Sequence, residues 1–266
     1  MVILITGASS GVGQATASLL SEKGHQVFGT SRNPDQPQAI PGVEMLPLDV
    51  RSDDSVVACV KAVVDAAGRV DALVNNAGYE LSGALEEISL DEARSQFETN
   101  FFGVVRTVKA VLPLMRQQQT GRIINVASFA GISAIPFMGI YSASKFALIG
   151  YTDALRLEVS PFNIHVSLAE PAFLKTPMTQ HRQAATAQLK EYDSWRQRAF
   201  NAFRELEQKA PGPESVANGI LEIINKKKPR LHYLIGSQSK ILSRMQRYLP
   251  EGGYEWGRRS KFKLDG

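Results

Sequence analysis

The chain has 266 residues, of which 44% are hydrophobic and 21% charged, and its formal net charge is +4. These proportions are typical of a globular protein and exclude a disordered chain or a collagen-like repeat. The single cysteine, Cys59, excludes an intrachain disulfide scaffold and a cysteine-based metal site, and it favours a reducing, cytoplasmic location.

Short apolar runs alternate with longer amphipathic segments along most of the chain. The runs predict seven buried strands, at residues 2–6, 26–31, 43–48, 71–75, 122–127, 163–169 and 231–235. The segments between them predict helices at 11–23, 53–66, 91–118, 141–159 and 213–225. We expect Pro113 to kink or restart the third helix. This alternation indicates repeated βαβ units, and therefore one doubly wound α/β domain with a mostly parallel sheet.

Residues 173–212 interrupt this rhythm with a polar, glutamine-rich segment that carries several aromatic residues. Ligands of doubly wound sheets bind beyond the carboxyl ends of the strands, so we predict that this insert is a helical lid over the substrate. The alternative is a peripheral pair of helices with an ordinary core-facing side.

A glycine-rich turn follows the first predicted strand. Its residues Gly7, Ser9, Ser10, Gly11, Val12 and Gly13 permit a tight turn and a close backbone approach to a phosphate. The same letters match a Gly-x-Ser-x-Gly nucleophile elbow, for which His165, His181 or His232 is the candidate base. Only six residues precede Gly7, whereas an elbow takes its oxyanion hole from an earlier strand, so the position favours a dinucleotide-binding turn.

The end of the second strand indicates which dinucleotide is bound. The sequence there is Thr30-Ser31-Arg32, with no acid to hold a ribose 2′-hydroxyl. Ser31 and the guanidinium of Arg32 suit a 2′-phosphate, which predicts NADP (NADPH) rather than NAD. The alternative is that Arg32 is a solvated loop residue.

Further polar residues fall where other strands end. Asp49 and Val50 follow the third strand, the segment Asn75 to Gly78 follows the fourth, and Ser128 follows the fifth. Tyr141 and Lys145 share one helical face, thirteen and seventeen residues after Ser128. In order and spacing, this set resembles the classical short-chain dehydrogenase/reductase family, over roughly residues 1–240. The general pattern is similar to that of 17β-hydroxysteroid and retinol dehydrogenases, and it implies a Rossmann-type fold.

Carbonyl reduction explains the choice of catalytic residue types. A free phenol, with a pKa of about 10, is a poor acid or base near neutral pH, so we expect the Lys145 ammonium to lower the pKa of Tyr141. Ser128 would donate a hydrogen bond to the substrate oxygen. The resemblance also implies that Lys145 holds the nicotinamide ribose and that Asn100 interrupts its helix to hold a water of a proton relay. Taken singly, each residue is more typical of packing or capping; their joint spacing favours catalysis.

The resemblance implies the remaining cofactor contacts. The glycine turn would contact the pyrophosphate and adenosine ribose, and Asp49 with Val50 would hold the adenine. Asn76, Ala77 and Gly78 would flank the adenosine ribose, while Pro171, Leu174 and Thr176 would hold the nicotinamide carboxamide. Ala172 follows Pro171 where the family usually has a glycine. This change should cost little stability unless that position needs a positive φ.

Residues 129–138 contain no charged side chain, which indicates an apolar pocket for a lipophilic ketone, aldehyde or alcohol; alternatively these are core residues beneath the site. We therefore predict an NADP-dependent oxidoreductase with no metal. A non-catalytic NADP-sensing regulator on the same fold and the serine hydrolase described above are the alternatives.

The positive charge is concentrated at the C-terminus. Residues 226–266 hold 11 Lys and Arg against 3 Asp and Glu, whereas residues 1–225 hold 19 against 23. We predict that the tail, residues 237–266, is a solvated surface whose apolar residues pack inward or against another subunit of a homo-oligomer. Peripheral contact with an acidic membrane is an alternative, and no nucleic acid partner is expected.

Overall fold

Seven parallel strands form the central sheet within the part of the chain that the computed structural model describes, residues 1–33, 39–175, 182–236 and 250–264. The strands of this sheet are β1 Val2–Ile5, β2 Gln26–Ser31, β3 Val43–Pro47, β4 Ala72–Asn75, β6 Gly121–Val126, β7 Ile164–Pro171 and β9 His232–Ile235. Their order is β3-β2-β1-β4-β6-β7-β9. The predicted doubly wound sheet is confirmed, and each strand lies within two residues of its predicted bounds. Two short strands, β5 Leu81–Ser82 and β8 Gln183–Ala184, pair separately.

Helices cover both faces of the sheet. They are α1 Gly11–Glu22, α2 Asp53–Ala67, α3 Leu90–Phe97, α4 Gly103–Gln118, α5 Gly139–Glu158, α6 Asp193–Gln208, α7 Glu214–Asn225 and α8 Glu251–Lys261. Successive strand residues point to opposite faces, so Ile3 and Ile5 pack with α1 and α7, while Leu4 packs with α2, α4 and α5. No helix in these four ranges has the length and apolar content needed to cross a bilayer.

The helix predicted at residues 91–118 is interrupted, although not at Pro113. A π-helical turn, Glu98–Phe102, joins α3 to α4, and Pro113 lies inside α4, which continues to Gln118. The prediction that Pro113 restarts the helix is therefore wrong. The irregularity lies instead around Asn100, whose side chain is buried and bonded to a neighbouring loop.

The strand order reverses direction between β1 and β4. The chain leaves β1 toward β2 and β3 on one side and returns to build β4, β6, β7 and β9 on the other. A cleft forms at such a switch point, at the carboxyl ends of the strands.

Candidate active site

A cleft of about 890 Å³ lies at the carboxyl ends of the strands. It brings together Gly7, Ser9, Ser10, Gly11, Val12, Ser31, Arg32, Asp49, Val50, Asn76, Ala77, Gly78, Asn100, Ser128, Tyr141, Lys145, Pro171 and Leu174. Gly13 packs directly behind the glycine turn. Thr176, also a predicted cofactor contact, lies outside the described residues. Eighteen of the predicted site residues therefore line one continuous cleft.

The glycine turn has the conformation that a phosphate-binding loop needs. Gly7 and Gly11 have positive φ values of 66° and 55°. A Cβ atom on Gly13 would lie 2.1 Å from the Gly7 carbonyl oxygen, so only glycine permits this approach. Ser10, which precedes α1, makes no side-chain cap, and the first N–H groups of a helix have no partner within it. These N–H groups are available to an anion, so the turn fits a dinucleotide pyrophosphate.

Two guanidinium groups lie at the β2 and β3 end of the cleft. Arg32, the residue expected to bind a 2′-phosphate, lines the cleft there and is exposed. Arg51 was not predicted, although the short Asp49-x-Arg51 spacing was a signal for it. Its Nε and Nη2 bond the Asp49 carboxylate at 2.9 and 2.7 Å. This hydrogen bonding, with smaller contributions from the charges of Arg51 and Arg32, lowers the pKa of Asp49 to about 2.

Ser128, Tyr141 and Lys145 meet at the centre of the cleft. Ser128 follows β6 and accepts a hydrogen bond from the Ala130 N–H at 3.1 Å. Helix α5 carries the other two, and both are only 6% exposed. Lys145 Nζ donates to the Val126 carbonyl at 2.9 Å and lies 5.8 Å from the centre of the Tyr141 ring. The end of β6 and the first turn of α5 therefore hold the predicted trio together.

The pKa of Tyr141 is shifted in the opposite direction to the one expected from its spacing to Lys145. Burial raises this pKa above its ordinary value and the charge of Glu80 raises it further, while a hydrogen bond with Ser128 and the charge of Arg182 oppose the rise. Lys145 is itself buried, which lowers its pKa to about 8. In the protein chain by itself, desolvation is the largest influence on the pKa of both Tyr141 and Lys145.

Asn100 connects the π-helical turn to the loop after β4. Its Oδ1 accepts from the Tyr79 N–H at 3.1 Å, and its Nδ2 donates to the Tyr79 carbonyl at 3.0 Å and to Ser144 Oγ at 3.4 Å. The side chain therefore fixes the loop and α5 relative to each other. The interruption of the helix at Asn100 agrees with the expectation from the family resemblance.

A buried polar network positions α5 against the sheet. Asn75 Nδ2 donates to Asn125 Oδ1, and Asn125 Nδ2 donates to Thr152 Oγ1, each at 2.9 Å. Thr107 Oγ1 donates to Asn75 Oδ1 at 2.7 Å. No sequence motif indicated Thr107, Asn125 or Thr152. Because every member is paired within the core, the network holds β4, β6, α4 and α5 in one arrangement.

The inner end of the cleft is largely apolar. It is lined by Phe129, Ile135, Met138, Phe173 and Phe203, the last two from the insert at residues 173–212. Three charged residues, Glu80, Arg182 and Glu207, also line it, and no sequence motif marked them. Ala172 is not among the described residues with positive φ, so alanine introduces no backbone strain there.

The described part of the tail also lies on this side. Phe262, just after α8, packs on Phe203 with ring centres 5.2 Å apart, and Lys263 Nζ bonds Glu205 at 2.6 Å. Tail residues 237–249 lie outside the described ranges.

The hydrolase alternative finds no support in the cleft. Ser9 lines it, but His165 and His232 do not. His232 bonds Glu170 on the neighbouring strand at 3.1 Å. His181 lies outside the described residues. No candidate base is therefore placed beside Ser9 in the part of the chain that the structure covers.

Comparison with known proteins identifies the family. A family model described as short chain dehydrogenase matches residues 1–187. The chain is 41% identical over 261 residues to a 3-ketodihydrosphingosine reductase of Bacteroides thetaiotaomicron, with 97% of this chain and 96% of the relative covered. It is 34% identical over 250 residues to retinol dehydrogenase 8 of Homo sapiens, with 86% and 79% covered.

Solved structures agree with the fold. A short chain dehydrogenase/reductase of Burkholderia phymatum, in complex with NAD, superposes with a TM-score of 0.80 at 28% identity over 92% of each chain. The protein ElxO with NADP bound gives 0.75 at 26% identity over 90% of this chain and 98% of that one. The chain therefore belongs to the short-chain dehydrogenase family, a family of oxidoreductases.

Proposed function

We propose that this chain is an NADP-dependent oxidoreductase that reduces the carbonyl group of a lipophilic substrate, or oxidises the corresponding alcohol, with Tyr141 as the acid or base. The observation that carries the proposal is the meeting of Ser128, Tyr141 and Lys145 in the cleft that the glycine turn opens.

The three side chains have complementary roles in reduction. Bound NADPH supplies the hydride. Ser128 donates a hydrogen bond to the carbonyl oxygen and stabilises the negative charge that develops on it. Tyr141 gives its proton to this oxygen as the general acid in reduction, and takes it back in the oxidation of an alcohol. Lys145 holds the nicotinamide ribose, and Asn100 holds a water that connects Lys145 with solvent.

The preference for NADP rests on the charges at the ribose end. Arg32 and Arg51 both line that part of the cleft, and β2 ends without a carboxylate. Ser31 adds a hydroxyl beside them. Guanidinium groups bind a phosphate through paired hydrogen bonds, so this composition favours the 2′-phosphate. The glycine turn, Asp49 with Val50, Asn76 to Gly78, and Pro171 with Leu174 and Thr176 make the remaining contacts.

The lipophilic substrate is supported by the apolar lining and by the relatives. The insert at residues 173–212 contributes Phe173 and Phe203 to the cleft wall, which supports its role as a substrate lid. 3-Ketodihydrosphingosine, the substrate in the name of one relative, is a long-chain ketone with an amino group on the carbon next to its carbonyl. The single, buried Cys59 fits a reducing, cytoplasmic location.

The direct test is oxidation of NADPH or NADH by the wild-type protein with ketones of increasing chain length. We expect turnover with NADPH that rises with chain length and is much slower with NADH. Tight NADPH binding without turnover of any ketone or aldehyde would contradict the proposal and favour a non-catalytic, NADP-sensing protein.

A further inference from the structure

Three charged side chains lie together at the substrate end of the cleft. Arg182 Nε donates to Glu80 Oε2 at 2.8 Å, and Arg182 Nη2 donates to Glu207 Oε1 at 2.7 Å. The three side chains are between 12% and 14% exposed, so all are largely withdrawn from solvent. Glu80 comes from the loop after β4, Arg182 from the insert and Glu207 from α6.

The cluster contains one more carboxylate than guanidinium. Each carboxylate bonds Arg182 through a single oxygen, and the other oxygen accepts no hydrogen bond from any residue in the described ranges. Burial of a carboxylate is costly without full compensation, and accordingly burial raises the pKa of Glu207 despite its bond to Arg182. The charge of Arg204 also acts on Glu207, but Arg204 forms no ion pair with either carboxylate among the described residues, so one further cation bonded to the cluster would balance its charge.

Of the other basic residues that line the cleft, Arg32 lies at the end of β2, and Lys145 and Arg51 have partners of their own. Lys145 donates to the Val126 carbonyl and forms no ion pair with Glu80 among the described residues, while Arg51 bonds Asp49. Arg182 itself is held in place by the rings of Phe200 and Phe203, whose centres lie 6.0 and 5.8 Å from its guanidinium carbon. Arg182 therefore holds both carboxylates in place, and its one positive charge is shared between them.

The cluster lines the same cleft as the reacting groups. After burial, the charge of Glu80 is the next influence that raises the pKa of Tyr141, and it opposes the lowering of the Lys145 pKa. The apolar residues Ile135, Met138 and Phe173 line the same cleft. A substrate whose carbonyl oxygen contacts Tyr141 therefore occupies the same cleft as Glu80 and these apolar residues.

We infer that Glu80 and Glu207, held by Arg182, form a subsite for an ammonium group next to the reacting carbonyl, so that the substrate class is a long-chain 2-amino ketone. This inference rests on the proposed function. Hydride adds to the carbonyl carbon, the Tyr141 proton goes to the oxygen, and the ammonium keeps its charge. Its N–H groups donate to the carboxylate oxygens that Arg182 leaves unused.

Two ketones and three variants test the inference. The substrates are a long-chain 2-amino-3-ketone, used below the pKa of its amine, and the same 3-ketone without the amino group. The variants are Glu80→Gln, Glu207→Gln and a matched control, Glu205→Gln, which alters an exposed carboxylate on the same helix. Melting temperature and NADPH affinity establish that each variant folds.

We expect the wild-type kcat/KM to be about tenfold or more higher for the amino ketone. Each cluster variant should lose about tenfold or more of the preference for the amino ketone, taken as the ratio of the two kcat/KM values, and the control should keep the wild-type ratio. Equal losses of kcat/KM for both ketones, or a wild-type protein that does not prefer the amino ketone, would overturn the inference. The cluster would then only join α6 to the loop after β4.

A binding measurement separates this inference from the proposed function. A saturated long-chain 2-amino alcohol should raise the melting temperature of the wild-type protein, and the rise should be lost in Glu80→Gln and Glu207→Gln but kept in Glu205→Gln. If no ketone is reduced while this pattern is seen, the proposed function fails and the ammonium subsite stands. An equal rise in all four proteins would overturn the subsite whatever the activity.

Discussion

Lys145 Nζ donates to the Val126 carbonyl at 2.9 Å and lies 5.8 Å from the centre of the Tyr141 ring. The last residue of β6 therefore fixes the ammonium that helix α5 carries one turn after the phenol. Both side chains are buried, and this loss of contact with water is the largest influence on the pKa of each.

Replacing Lys145 by methionine should show how much its buried charge lowers the stability of the protein and how much the residue contributes to turnover. The pKa of Lys145 is lowered from 10.5 to about 8, so between these values the unfolded chain binds a proton that the folded protein does not. As the pH rises from about 8 to 10.5, the free energy of unfolding of the wild type should therefore increase relative to that of Lys145→Met, by up to roughly 3 kcal/mol.

The measurement is urea unfolding of both proteins, without nucleotide, at several pH values. The variant should also lose activity by roughly 100-fold, because the nicotinamide ribose is no longer positioned. A stability difference that stays constant with pH would show that Lys145 is not desolvated in the folded protein.

Gly13→Ala should weaken both folding and nucleotide binding. The added Cβ would lie 2.1 Å from the Gly7 carbonyl oxygen and 2.6 Å from Asn76 Nδ2, which forces the turn open. Overpacking of this kind costs about 1 to 3 kcal/mol. Gly150→Ala in α5 is the control, since nothing lies within 4 Å of its added Cβ. Thermal melts and NADPH titration check both, and a Gly13→Ala protein with unchanged NADPH affinity would argue against the turn as the phosphate site.

Asn100→Ala should destabilise the protein by about 1 to 3 kcal/mol, because the Tyr79 N–H loses its buried partner. The Tyr79 carbonyl keeps a hydrogen bond from Gln96 Nε2 at 2.9 Å. Asn218→Ala, on the exposed side of α7, should change stability by less than about 0.5 kcal/mol. Denaturant midpoints of the two variants give the comparison, and equal midpoints would contradict the positioning role of Asn100.

Arg32→Asp should shift the cofactor preference from NADPH toward NADH. The variant loses a charge-assisted hydrogen bond to the 2′-phosphate, and its new carboxylate repels that phosphate. The ratio of kcat/KM with NADPH to kcat/KM with NADH should therefore fall by roughly 10- to 100-fold. Lys109→Glu makes the same charge reversal at an exposed position of α4 and should leave the ratio unchanged. If both variants keep the wild-type ratio, Arg32 does not contact the 2′-phosphate.

Much of this architecture was predictable because its signals are local. Apolar runs such as Val2 to Ile5 mark buried strands, and the residues just beyond the strand ends gather in one cleft once the sheet is parallel. Tyr141 and Lys145 are one helical turn apart, so their proximity follows from the helix itself.

The features that the sequence did not predict depend on tertiary contacts. Glu80 and Arg182 are 102 residues apart, and only folding of the insert joins them. The pKa direction of Tyr141 was mispredicted for the same reason, since spacing shows the neighbouring ammonium but not the burial that outweighs it. The interruption of the helix at Asn100 follows from the family resemblance and not from local periodicity, and the hydrogen bonds of Asn100 to Tyr79 join it to another element.

The most direct test of the proposed chemistry is the Tyr141→Phe variant, which removes one oxygen atom and keeps the ring. Its NADPH affinity and its oxidation of NADPH with a long-chain ketone are measured beside the wild type. We expect turnover to fall by about 100- to 10,000-fold, the contribution of a general acid, while NADPH affinity stays within about twofold. Turnover at the wild-type rate with NADPH bound would contradict the assignment of Tyr141 as the proton donor.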